Sequence, residues 1–107
     1  MKLPASIKIG PYVWKIQLRS KTWQKREGKF GFCRFDDFAM DIVDDLPPLF
    51  KAEIVHHEIG HAIWWTYNLD SREREERAIM SLSRGYIDLW ADNPELLRWF
   101  AAQLPSS

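Results

Sequence analysis

The sequence predicts an α+β domain: a small, mainly antiparallel sheet of three to four strands, then a central helix and two further helices. Three observations predict it. Residues 1–45 show short runs of period-two alternation punctuated by Gly, Pro and Asp. Residues 46–107 change to apolar positions recurring every three to four residues. The 107 residues contain no repeat, linker or low-complexity tract, so they read as a single domain, strand-rich in 1–45 and helical in 46–107.

In chain order, Ile7, Ile9, Val13, Ile16 and Leu18 alternate in part, with Gly10-Pro11 breaking the run. This predicts two short strands or one bulged strand. The polar stretch Lys21 to Lys29, ending near Gly28, reads as a loop, and its basic cluster Arg19 to Arg26 as a solvated hairpin end. Phe30 to Phe35 alternates with aromatics on both faces, which suggests a strand covered at least partly on both sides. Asp36-Asp37 reads as a turn, and Ala39 to Val43 as a further strand with Met40 and Ile42 on one face.

Pro47-Pro48 suits a helix's first turn, where a missing N–H costs nothing. The helix is expected from about Pro48 to Tyr67. Gly60 inside it costs about 1 kcal/mol relative to Ala, which suggests close approach of another element. Ser71 suits the N-cap of a second helix, with Glu73, Glu75 and Glu76 in its first turns and Ile79, Leu82 and Tyr86 as an inward stripe. A third helix is expected over Pro94 to Gln103, burying Leu96, Leu97, Phe100 and Leu104.

Composition narrows the function classes. Fifteen basic residues balance fifteen acidic ones, which argues against a nucleic-acid binder held by phosphate contacts. No apolar run approaches a membrane span, and Lys2, Pro4, Ser6 and Lys8 interrupt any signal-like region after Met1. The single Cys33 offers neither a disulfide framework nor a paired-cysteine metal site. A cytoplasmic protein is expected.

The chemistry lies in His57-Glu58-Ile59-Gly60-His61, an H-E-x-x-H pattern on the central helix. Residues four apart share a helix face about 6 Å apart along the axis, so two imidazoles can meet one Zn²⁺ at about 2.0–2.1 Å. Glu58 points to the neighbouring sector, from which it can take a proton from a water on the metal. All three histidines of the chain fall here, and His56, about 100° round from His57, is expected to support the site or lie at the surface rather than ligate. A catalytic zinc wants a third protein ligand, and the third-histidine extension of the motif is absent, so a carboxylate is expected. Glu75 and Glu76 flank the inward stripe of the second helix, and periodicity leaves both open. Cys33 reads as a small buried residue, its surroundings being unlike a deformylase cysteine motif. Tyr67 and Tyr86 are candidate hydrogen-bond donors to a developing oxyanion, although most such tyrosines are core.

The stretches His56 to Ile63, Glu75 to Leu82 and Asp92 to Leu97 resemble small phage-associated zincin-type proteins, distantly similar to the ImmA/IrrE metallopeptidases. The first motif is specific for zincins and the other two suggest the phage group. The resemblance implies a minimal zincin-like domain whose zinc is held by His57, His61 and Glu76, with Glu75 in reserve and Glu58 as the catalytic base. It implies hydrolysis of a protein or peptide substrate. The alternative is a catalytically inactive, zinc-stabilised protein-binding module in phage or bacterial regulation. The ImmA/IrrE relatives carry an additional DNA-binding or sensor region, and none is expected within these 107 residues, so a regulatory cleavage role does not simply carry over.

Overall fold

The computed structural model describes residues 2–69 and 75–105, except the side chains of Glu75 and Glu76. Strands β1 (Ser6–Ile9) and β2 (Tyr12–Arg19) form a hairpin through Gly10, whose φ of 57° is left-handed. After helix α1 (Lys21–Glu27), strands β3 (Gly31–Arg34) and β4 (Ala39–Val43) form a second hairpin. The sheet order is β1-β2-β4-β3, and the two hairpins join through the parallel pairing of β2 with β4. Helices α2 (Pro48–Thr66), α3 (Glu75–Asp92) and α4 (Pro94–Gln103) follow. The fold is α+β with a mostly antiparallel sheet, as the periodicity predicts.

One face of the sheet builds the core. Ile7, Ile9, Trp14, Ile16, Met40 and Ile42 pack against Val55, Ile59, Ala62 and Ile63 of α2. Leu89 of α3 and the Leu96–Trp99 pair of α4 close it. At roughly 1.5–3 kcal/mol for each large apolar side chain buried, this layer is the main fixed support of α2. The opposite face mixes polar residues with Val13, Phe32, Ala39 and Val43, and there Asp41 is buried beneath Arg19 and Arg34, at 2.7 and 3.2 Å.

Four readings of the sequence are corrected. On α3, Leu82 and Tyr86 pack against the core, but Ile79 does not share their inward stripe and is 54% exposed. Lys21 to Lys29 is not a loop or a hairpin end: Ser20 caps α1 by accepting from the Trp23 N–H at 3.2 Å, and Gly28 ends it at φ 68°. The helix has no buried residue, so it shows no apolar stripe to betray it. In α4, Leu96 and Trp99 face the core while Leu97 and Leu104 stay open to solvent. Gly60 has room for a methyl group, whose nearest neighbour would be the Tyr86 hydroxyl at 3.4 Å. The close approach of α2 and α3 falls instead at Gly85, where a Cβ would stand 2.6 Å from Ile63 Cγ2. The N-cap expected at Ser71 lies outside the described residues.

The two sheet edges differ. The Asn93 side chain, at the start of α4, bonds both the N–H and the C=O of Lys8, at 2.9 and 2.8 Å, and so occupies the β1 edge. Among the described residues β3 pairs only with β4, and it runs beside α2.

Candidate metal centre

α2 begins at Pro48, and its buried positions Ala52, Val55, Ile59, Ala62 and Ile63 dock it on the sheet. That docking sets the phase of the helix. His57 and His61, one turn apart on the opposite side, face solvent. Their Nε2 atoms lie 3.0 Å apart, with the rings nearly perpendicular at 83°. Two nitrogens each about 2.0–2.1 Å from one tetrahedral zinc stand about 3.3–3.4 Å apart. The pair therefore fits two corners of such a site with a shift of a few tenths of an ångström. The same approach also accommodates one N–H···N hydrogen bond.

Glu58 points to the neighbouring sector of the helix, into the seam between α2 and β3, and is buried. Gly31 makes room for it: a Cβ there would meet the Glu58 Cγ and Oε2 at 3.1 Å and Ile54 at 2.8 Å. Burial raises the Glu58 carboxyl above its ordinary range, and the neighbouring His57 and His61 oppose that rise. A carboxylate held between a desolvating wall and two imidazoles is suited to accept and return a proton. Cys33 is buried as expected, but its neighbour is informative: its thiol donates to the Glu58 carbonyl oxygen at 3.0 Å. Burial, then the Glu58 charge, pushes that thiol far above its ordinary pKa, so it is an inert wall of the seam.

The cleft over the histidine pair has a volume of about 530 Å³ and is walled by Trp64, Leu82 and Tyr86. His56 does not join the pair. Its ring stacks on Tyr86 at 4.6 Å, and the Tyr86 hydroxyl donates to the His56 carbonyl oxygen at 3.1 Å. Burial lowers the His56 pKa, helped by His57, and raises that of Tyr86 to about 12, so both are neutral near pH 7. Tyr86 thus ties α3 to the α2 backbone next to His57. Tyr67 does not line this cleft; its ring packs at Gly85.

Among the described residues, no group of three His, Cys, Asp or Glu side chains gathers as a metal site. The side chains of Glu75 and Glu76, where a third ligand is expected, lie outside the described residues. Gly31, the Cys33–Glu58 contact and Tyr86 as a backbone tie are the parts the sequence alone did not assign. Comparison of the chain with protein-family models, with curated proteins and with solved structures returns no match.

Proposed function

We propose that the chain is a zinc-dependent metallopeptidase in which His57, His61 and a carboxylate of the Glu75–Glu76 pair hold the metal and Glu58 is the catalytic base. The observation that carries this reading is the convergence of the two Nε2 atoms at 3.0 Å in an open cleft, with the buried Glu58 carboxylate, its pKa raised, in the adjoining seam between α2 and β3. The likeness of His56 to Ile63 to the zincin motif supports it independently. Bound zinc would supply Lewis acidity, lowering the pKa of a water and polarising a carbonyl oxygen. Glu58 then takes the proton from the attacking water and returns it to the leaving amine. The open β3 edge beside α2 offers main-chain groups to an extended peptide, as in strand addition.

Resemblance assigns the third ligand to Glu76. Helix phase weighs toward its neighbour, since position 75 of α3 falls on the line of Leu82 and Tyr86, and position 76 about 80° round from Tyr86. Zinc content of Glu75→Ala and Glu76→Ala decides between them; full retention in both removes this pair from the site.

Glu58→Gln tests the enzyme reading. It should keep its zinc and fold, while cleavage of a denatured-protein or peptide-library substrate falls about 10²–10⁴-fold. Equal cleavage by parent and variant rejects Glu58 as the base. A zinc-loaded parent with no cleavage, and a biological effect that survives Glu58→Gln, would indicate the inactive binding module instead.

A further inference from the structure

The outward face of α2 does more than present two histidines. Leu49, Glu53, His56, His57, His61 and Trp64 fall on one stripe at helical spacing, about 22 Å long from the first to the last. At the Trp64 end, α3 walls the cleft already described. Beyond His56, a second hollow of about 380 Å³ opens between the first half of α2 and α4. Leu49, Phe100 and Leu104 line its sides, and the small, buried Ala52 is also part of its lining. Glu53 is the only carboxylate on its rim. His56 and His57 line both hollows, so anything seated in the second lies directly beside the candidate metal pair.

We propose that this hollow is a substrate side-chain subsite, taking one large aliphatic or aromatic residue of a peptide adjacent to the bond held at the metal. The inference rests on the metallopeptidase reading and names the substrate class for it. Leu49 and Leu104, 44% and 59% exposed, stand with Phe100 in one lining, so the hollow offers a contiguous apolar patch rather than scattered exposed leucines. The hollow shares His56 and His57 with the cleft, which sets its occupant next to whatever the histidine pair engages. The whole groove matches about six or seven residues of extended chain at ~3.3 Å each. An extended segment across the histidine pair can place one side chain in this hollow while its backbone runs past His57.

The test measures binding, so it does not depend on turnover. Zinc-loaded protein is titrated calorimetrically with acetohydroxamate, N-acetylglycine hydroxamate and N-acetylleucine hydroxamate. All three chelate zinc, and only the last carries a large apolar side chain. The leucine compound should bind about ten-fold or more tightly than the glycine compound, the return on burying one such side chain. In the Leu49→Ser/Leu104→Ser double variant, changed at two solvent-facing positions, that ratio should fall close to one. A ratio near one in the parent, or one that survives the double substitution, overturns the subsite while acetohydroxamate binding leaves the metal reading standing. Failure of all three compounds to bind overturns the metal reading and the subsite with it.

Discussion

Asp41 and Glu58 are the two buried carboxylates among the described residues, and they sit on opposite faces of the same sheet. Asp41 lies under two guanidiniums, Arg19 from the adjacent β2 and Arg34 from the adjacent β3. Gln17 bonds both of those arginines in turn. Glu58 makes no ion pair among the described residues; its neighbours are a glycine, a thiol and two imidazoles. Folding therefore solves the burial of Asp41 with charge and leaves Glu58 with a raised pKa. A buried charge that is fully paired reads as structure, and one left poised beside titratable rings in a cleft reads as chemistry.

Asp41→Ala should give the largest loss of stability. It leaves two guanidiniums facing each other without their counter-charge, and because both are about one-third exposed the cost is about 2–3 kcal/mol rather than more. Urea denaturation measures it, and zinc content per folded chain should not change. A neutral result would mean that the network contributes nothing to folding.

Gly31→Ala is the next largest. The new methyl would press on Ile54 at 2.8 Å and on the Glu58 carboxylate at 3.1 Å. A shift of the half-buried Ile54 limits the cost to about 1 kcal/mol, the low end of overpacking. The loss of cleavage should exceed what that instability explains, because the base itself is displaced. Parent-like cleavage in a folded Gly31→Ala protein would show that the seam does not position Glu58.

The smallest effect is one of sign. Because the folded-state pKa of Glu58 is raised, its contribution is fully present below the unfolded-chain pKa and is lost as pH rises through the folded value. In chelator-treated protein, Glu58→Gln should therefore be at least as stable as the parent at pH 7, with the difference vanishing in acid. A variant less stable at pH 7 than in acid, relative to the parent, would place Glu58 with the structural carboxylates.

The strands, the central helix and the H-E-x-x-H face were legible because each rests on local periodicity. Ile7 and Ile9, or His57 and His61, declare their shared face by spacing alone. α1 was not legible, although Ser20 and Gly28 are ordinary cap residues, because a helix that buries nothing has no apolar period. The orientation of α4 was not legible either: Leu96, Leu97, Trp99 and Phe100 surround that helix, and only its packing against the sheet core selects Leu96 and Trp99. The Cys33–Glu58 and Gly31–Glu58 contacts join residues more than twenty positions apart, so no window of sequence contains them.

Metal analysis of the purified protein tests the central claim most directly. After zinc loading and removal of free metal, one zinc per chain should remain, and His57→Ala and His61→Ala should each lose it while keeping the helical and strand signature of the parent. A folded parent with no bound zinc, or full zinc retention by both histidine variants, would contradict the account.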